Sequence, residues 1–484
     1  MKTGGLSLDQ APPLSVPAGF FLSIPPGILI AACILLVNGT AALASPWADQ
    51  TLALAHAGTL GVLAMGMMGA LYQMTPVIAG AAVPFTRVAH LVLILLLAGL
   101  AGFVWRLLGG PAAAMAWAII SFKLSLAAFL LQLGWALLRP ATRSETVQGM
   151  RLALLSLAAI TLIGVMMAAG FSGDSFPQHR VLWVQIHLTL ALLGWVGGLI
   201  MAVSWQVIPM FYLAPAMDKG TQRWLLGMLL AGLILPMAAM FTAGQTHAGL
   251  SPGNIAAIGA LPAAVVVWLV HPLLLLRSIA RRKRKRSDAS LLFWRAGLGT
   301  ALLLIPVAIT ALLLPDPRWQ VLFGWLAIWG WAALIMHGML SRIVPFLVWF
   351  HRYSARVGLQ PVPSMRSLLS QRRIQAGFIL HSSSVVIGVA AIILQSDILA
   401  RLTGLLLAGT AINLASMLIH VLKRTPVGAA PRGRPSSSSP PTLPFPSPPC
   451  LPRTRAATGG RPYDYLVRYQ RTPSSTFATS NLPS

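Results

Sequence analysis

Histidine is the residue type in this sequence best suited to bind a metal or a cofactor, and ten are present. A neutral imidazole ligates many metals, including haem iron, and an ionisable side chain within a membrane span is costly and therefore a functional candidate. His56 and His187 lie near the outer ends of two long apolar segments, and His337 lies near the middle of a third. We interpret His56 and His187 as candidate cofactor-binding residues and all three as candidate metal ligands. The alternative is that each is a polar side chain satisfied by its neighbours.

Several classes of chemistry are disfavoured by residues that the sequence lacks. The apolar segments contain no Asp or Glu, which argues against a carboxylate-driven transporter and against acid–base hydrolysis within the membrane. The metalloprotease, nucleophile-elbow and phosphate-loop motifs are missing as well. Cys33 and Cys450 are far apart and belong to no CxxC pair, so neither a disulfide framework nor a thiolate metal site is expected. We predict no catalytic residue.

A motif recurs three times, each time within a long apolar segment. A glycine is followed twelve residues later by Gln or Arg and three residues after that by proline. The copies begin 133 and then 136 residues apart. Their members are Gly61, Gln73 and Pro76; Gly194, Gln206 and Pro209; and Gly330, Arg342 and Pro345. Such a period predicts one structural unit used three times.

The composition is that of a polytopic membrane protein, with 56% hydrophobic residues, 9% charged residues and a mean hydropathy of +0.76. A helix needs about 20 apolar residues to cross a hydrocarbon core of about 30 Å. We predict twelve spanning helices near 27–45, 51–78, 87–109, 112–138, 151–171, 181–211, 223–244, 254–277, 290–314, 319–350, 374–395 and 400–423. The motif falls in the second, sixth and tenth. The predicted fold is therefore an all-α integral membrane protein with three parallel four-helix repeats.

Basic residues predict the orientation, because Lys and Arg concentrate in cytoplasmic loops. The run from Arg281 to Arg286 and the arginines near 139–151 and 352–373 fall on one side, so both termini are expected in the cytoplasm of a bacterial cell, with the chain in its inner membrane. The net charge of +26 lies mainly in these loops and in the tail, so we expect the lipid bilayer and not nucleic acid as a partner. The predicted domains are a cytoplasmic segment (1–24), a twelve-helix membrane domain (25–424) and a disordered Pro/Ser/Arg-rich tail (425–484).

The polar and small residues of the motif allow two interpretations each. Glycines eight residues apart, such as Gly61 and Gly69, share a helix face, which suits close helix packing or the approach of a planar cofactor. Gln73, Gln206 and Arg342 are expected to satisfy carbonyls freed by the prolines or to reach the membrane interface. Lys123, within the fourth span, either extends its ammonium to the interface or lines an internal polar path.

The second predicted span resembles subunit I of the haem–copper oxidases. His56-Ala57 and the exit Pro76-Val-Ile-Ala-Gly80-Ala, followed by Pro84 and Arg87, are similar to that family's His-Ala start and Pro-x-x-x-Gly-Ala-Pro exit. The family also has twelve helices in three four-helix arcs. The resemblance implies that His56 ligates a haem b, with His187 as a possible second ligand, and it extends to divergent, NnrS-like twelve-helix relatives linked to haem, copper and nitric-oxide metabolism.

Departures from the family narrow the expected function. The paired histidines of span seven, the His-Pro-Glu of span six and the His-x-His of span ten are missing, so copper and full terminal-oxidase activity are not expected. The resemblance implies a degenerate metal centre used in electron transfer or in nitric-oxide- or oxygen-related respiration, with respiratory or denitrification membrane subunits as partners. The alternatives are a transporter that handles metal or haem, with Met65, Met67, Met68 and Met201 as soft ligands, and an assembly protein without a cofactor.

Overall fold

A computed structural model describes residues 11–238, 252–283, 288–359 and 361–423. The described residues form helices joined by turns and loops and include no β-strand. Helices satisfy their own backbone hydrogen bonds, which a chain in lipid requires. The α-helices are α1 (Ser15–Leu22), α2 (Ile24–Asn38), α3 (Asp49–Gly58), α4 (Met65–Ala79), α5 (Val88–Leu107), α6 (Ala112–Leu138), α7 (Glu145–Ala169), α8 (Arg180–Leu188), α9 (Gly198–Tyr212), α10 (Lys219–Ala238), α11 (Pro252–Gly259), α12 (Leu261–Val265), α13 (His271–Ala280), α14 (Ser290–Leu313), α15 (Pro317–Trp325), α16 (Leu334–Tyr353), α17 (Gln371–Leu394) and α18 (Asp397–Lys423).

Eleven helical stretches of the described chain are long and apolar enough to cross a membrane. They are Ser15–Leu43, Asp49–Ala79, Val88–Leu107, Ala112–Leu138, Glu145–Ala169, Arg180–Tyr212, Leu261–Ala280, Ser290–Leu313, Pro317–Arg356, Gln371–Leu394 and Asp397–Lys423. The prediction of an all-α, multi-pass membrane protein is therefore confirmed. The predicted span 223–244 corresponds to α10, which is not among the eleven, and its end lies outside the described residues.

The first span begins about ten residues before the predicted end of the N-terminal segment at 24. Helix α1 starts at Ser15, and Phe20 and Phe21 are buried against Gly69 of α4. Pro25 and Pro26 do not interrupt the structure, since they occupy the first turn of α2. The missing N–H of a proline is not needed there for the helical hydrogen bonds. The predicted tail, 425–484, lies outside the described residues.

Each motif-bearing span is interrupted by a π-helical segment, in which the backbone hydrogen bonds skip one residue more than in an α-helix. These segments are Thr59–Ala64, Thr189–Gly197 and Leu326–Ala333, and each contains the motif glycine of its copy. A fourth, shorter π-helical segment spans Val266–Val270. The third motif segment contacts both of the others. The three motif-bearing spans thus meet in the interior, where 72%, 72% and 78% of their apolar windows are buried.

The motif glycines are closed off by neighbouring helices. A Cβ on Gly61 would lie 3.1 Å from the Cα of Gly27, and one on Gly194 would lie 2.4 Å from the Ser156 hydroxyl. Gly330 is similarly covered by the methyl group of Thr300 at 2.7 Å. The glycines therefore serve helix packing, and the expectation that their face admits a planar cofactor is wrong.

The polar residues of the motif differ from copy to copy. Gln73 is 1% exposed, and neither of its amide atoms has a hydrogen-bond partner among the described residues. Gln206 is exposed on the outside of its helix, as a residue reaching the membrane surface would be. Arg342 forms an ion pair with Asp288 and donates from Nε to the Ser290 hydroxyl at 3.0 Å. None of the three donates to a carbonyl freed by a motif proline, so that part of the expectation is wrong.

Candidate cofactor site

His56 is held in one tautomer by its own helix. It lies near the end of α3, three residues before the first π-helical segment, and its Nδ1 is 2.8 Å from the carbonyl oxygen of Leu52. A carbonyl oxygen only accepts hydrogen bonds, so the neutral ring carries its hydrogen on Nδ1 and a lone pair on Nε2. The ring also packs on Phe103 of α5, with centroids 4.7 Å apart. A histidine that donates one ring N–H to a carbonyl is oriented as metal-ligating histidines commonly are.

His187 occupies the corresponding place before the second π-helical segment, near the end of α8. Its Nδ1 is buried and has no hydrogen-bond partner among the described residues. The ring edge rests on Gly164 of α7, where a Cβ would lie 3.2 Å from the His187 Cε1. A buried nitrogen without a partner is costly, which makes His187 the less satisfied of the two histidines.

The π-helical segments that follow His56 and His187 both contact the third π-helical segment, so the two histidines lie just before parts of the chain that meet in the interior. His56 precedes its motif glycine by five residues and His187 precedes its own by seven. In a regular α-helix, where each residue turns the helix by 100°, this difference would place the two histidines on different helix faces. Both intervals enter a π-helical segment, however, and such a segment has more residues per turn. The α-helical angle therefore does not apply here, and the two histidines can share one side.

Two arginines that the sequence interpretation did not single out border this site. Arg180 lies seven residues, or two turns, before His187 on the same helix, and Arg106 follows Phe103 by one turn. Both reach the same loop: Arg106 donates from Nε to the Phe171 carbonyl at 2.9 Å, and the Arg180 guanidinium lies 5.7 Å from the Phe171 ring. The Arg180 Nε is buried and unpartnered among the described atoms. In membrane proteins, Lys and Arg are in excess on the cytoplasmic side. Arginines at the predicted outer ends of spans depart from this pattern, and the departure could have singled them out from the sequence.

His337 is paired with a different residue. Its Nδ1 lies 3.2 Å from Nδ1 of His381 on α17, and both rings are buried. His381 Nε2 lies 3.2 Å from the Trp329 carbonyl, which belongs to the third π-helical segment. Within the described part of the chain, no hydrogen bond or ring contact joins His337 to His56 or His187. The three predicted metal ligands are therefore not assembled into one site.

The remaining membrane histidines have ordinary partners. His271 and the Ser204 hydroxyl are 2.9 Å apart, and His351 lies within hydrogen-bond distance of two backbone carbonyls. Lys123 is exposed on its helix, as the interfacial interpretation requires. Throughout the described ranges, no three or more His, Cys, Asp or Glu side chains lie close enough together to hold a metal ion.

The methionines proposed as soft ligands belong to the core. Met65, Met68 and Met201 are fully buried and Met67 is 2% exposed. Methionine is unbranched and polarisable and commonly fills gaps between packed helices. Packing accounts for this placement.

The fold and these side chains define a multi-pass, all-α membrane protein with histidines in its interior. No protein-family model and no curated protein matches this chain.

Proposed function

We propose that the protein binds a haem b between His56 and His187 and acts in electron transfer or in respiration linked to nitric oxide or oxygen. The observation that carries this proposal is the hydrogen bond from His56 Nδ1 to Leu52. It leaves the Nε2 lone pair free to ligate iron. His187, which precedes the second π-helical segment as His56 precedes the first, has a buried Nδ1 without a partner among the described residues. His56 and His187, on different helices, would together hold the haem iron.

The surroundings of the two histidines suit an amphipathic, anionic cofactor. Phe103 offers an apolar ring beside His56, and the missing side chain of Gly164 leaves space for the His187 ring. Arg106 and Arg180 would pair with the carboxylates of the porphyrin, because a guanidinium and a carboxylate form charge-assisted hydrogen bonds. When bound, the haem would supply a one-electron redox centre.

The proposed architecture is the haem–copper oxidase subunit I superfold, built from three parallel repeats of four helices. The recurrence of a π-helical segment at the glycine of each motif copy supports it. So does the contact of the third segment with the other two. Oxygen reduction is not included in the proposal, because the sequence lacks the paired histidines that the family uses for copper. Respiratory or denitrification subunits of the same bacterial inner membrane are the proposed partners.

The test is an absorption spectrum of detergent-purified protein, oxidised and dithionite-reduced, after expression with a haem precursor. We expect a Soret band in the wild type that is lost in His56→Ala and lost or shifted in His187→Ala. His90→Ala is the matched control, since His90 is an exposed histidine on a neighbouring helix and its loss should leave the spectrum unchanged. A colourless wild type would rule the haem out, and equal spectra in all three variants would place it elsewhere.

A further inference from the structure

We propose that His337 and His381 form a binding site for one Cu(I) ion, held between their Nδ1 atoms. This site is separate from the proposed haem site and does not depend on it. His337 lies on α16 and His381 on α17, in a region where Phe293 of α14 packs on the His337 ring with centroids 4.6 Å apart. Both histidines are almost fully buried, at 3% and 1% exposed.

The two imidazoles have too few hydrogens to satisfy all the polar atoms around them. His381 Nε2 must donate to the Trp329 carbonyl, the two Nδ1 atoms face each other, and His337 Nε2 and Asn413 Oδ1 are buried without partners in the described structure. Two neutral imidazoles carry only two N–H hydrogens between them. If the second hydrogen lies between the two Nδ1 atoms, His337 Nε2 carries no hydrogen and can only accept. It then lies near the Asn413 oxygen, which also can only accept, and neither atom has a donor. A buried acceptor without a donor is destabilising.

A cation between the Nδ1 atoms removes this conflict. Both Nδ1 lone pairs then bind the ion, and the second hydrogen moves to His337 Nε2. That nitrogen and the Asn413 oxygen border the same small space, since a Cβ on Gly377 would lie 3.1 Å and 2.7 Å from them. The new N–H then faces this space, where one water can join it to the oxygen. Each ligating ring would then donate its other N–H to a protein oxygen, as metal-bound histidines usually do.

The separation of the two nitrogens fits two ligands of one ion. Nitrogen–metal bonds of about 2.0–2.1 Å at a near-tetrahedral angle place two nitrogens about 3.3 Å apart. The Nδ1 atoms of His337 and His381 are 3.2 Å apart. A linear arrangement would require about 4 Å with the same bonds. The site is thus bent, and it leaves a further coordination position for a small ligand such as water.

The charge of the surroundings selects a monovalent ion. No Asp, Glu or Cys joins the two histidines into a larger ligand group within the described chain. The cost of burying an ion rises steeply with its charge, and nothing nearby would offset a second positive charge. Structural zinc also takes four protein ligands. Imidazole binds copper well, so Cu(I) is the ion that this neutral pair of ligands suits.

The test uses tag-free protein in which Cys33 and Cys450 are replaced by serine, because free thiols bind soft monovalent ions tightly. Binding is measured first with Ag(I), a redox-inert ion of the same charge, and then with Cu(I) under reducing conditions. We expect one tightly bound equivalent in the wild type and at least tenfold weaker binding in His337→Asn and in His381→Asn. His271→Asn is the matched control: it also alters a fully buried membrane histidine, but one bound to Ser204. Its affinity for the ion should equal that of the wild type.

Two further readouts keep the proposal testable if the histidine variants unfold. Asn413→Ala keeps both ligands and should weaken binding about 10- to 100-fold, because it removes the partner of a ligating ring. X-ray absorption of the copper form should show two nitrogen ligands near 2.0 Å. Wild-type protein that binds neither ion, or binding unchanged in both pair variants, would overturn the proposal. The Soret band of the proposed haem should persist in these variants, so the two proposals fail independently.

Discussion

At the scale of single residues, whether both ring nitrogens have hydrogen-bond partners decides what a buried histidine can do. His271 is engaged by Ser204 and belongs to the packing. His56 has one nitrogen engaged by Leu52 and the other free, while His187 and His337 each keep a buried nitrogen without a partner in the described structure. The same residue type therefore serves as packing in one place and as a candidate ligand in another.

The sequence could predict that these histidines lie in membrane spans but not which of them meet. His337 and His381 are 44 residues apart on separate helices, and no local pattern connects them. The pairing follows from how α16 and α17 pack, which hydropathy does not encode. The hydrogen bond from His56 to Leu52, four residues earlier in the same helix, is the kind of local contact that spacing can suggest.

Replacing Arg342 with Gln, the residue at this place in the other two motif copies, should destabilise the protein. Arg342 and Asp288 form an ion pair in which the side chains are only 18% and 12% exposed. Removing one partner of a buried pair leaves the other charge uncompensated, at a cost of roughly 3 kcal/mol. We expect a lower unfolding temperature in detergent for R342Q.

A double-mutant cycle separates this pairing from general disruption. D288N should also destabilise the protein, and the double variant D288N/R342Q should cost clearly less than the two single variants together, because no charge is left unpaired. Arg277→Gln, at a basic residue near the end of α13, serves as the control. Strictly additive effects in the cycle would contradict a direct ion pair.

At the scale of elements, each of the three motif-bearing spans combines unusual length with a π-helical segment. Hydropathy predicts that these spans are the longest, and they are, at 31, 33 and 40 residues. Hydropathy cannot predict the π-helical turns. Where a helix is buried on all sides, nearly every residue is apolar, so one extra residue per turn does not change the pattern of apolar and polar residues. The segments matter for the site, since they set the direction in which His56 and His187 leave the helix.

Deleting Leu60 from the first π-helical segment should be tolerated by the fold. Removing one residue can convert a π-helical turn to an α-helical turn, so that the helices on both sides keep the faces that they bury. We therefore expect the wild-type unfolding temperature to be nearly retained. The deletion still brings His56 one residue closer to α4 along the chain, so we expect the Soret band to be weakened. Thermal unfolding and absorption spectra of the same sample measure the two effects.

The control is the deletion of Leu97 from the uninterrupted helix α5. There the loss of one residue turns the following half of the helix by 100° and moves its buried face away from its neighbours. Unfolding at a much lower temperature is expected. If the Leu60 deletion is as damaging as the Leu97 deletion, the π-helical segment has no special capacity to absorb the change.

At the scale of the whole molecule, lipid makes the fold largely predictable. Helices must bury their own polar groups and exceed about 20 residues, so apolar runs predicted the eleven spans with most ends within a few residues. The first span begins earlier in the sequence than predicted. Pro25 and Pro26 were expected to precede the helix, but they form the first turn of α2. The number of crossings depends on α10, whose sequence carries Lys219 and Arg223 at its beginning.

Reporter fusions should decide whether α10 crosses the membrane. If it does, the Arg-rich segment after α13 and the chain after Lys423 are both cytoplasmic, in agreement with the positive-inside distribution. If it does not, both lie outside.

We therefore expect a green fluorescent reporter to be bright, and alkaline phosphatase inactive, when fused after Arg282 or after Lys423. A fusion after Arg139, which precedes α10, should give the cytoplasmic result under either count and serves as the control. Active phosphatase after Arg282 would mean that α10 stays on one side, and a parallel set of three four-helix repeats would then be impossible, because the middle repeat would have an odd number of crossings.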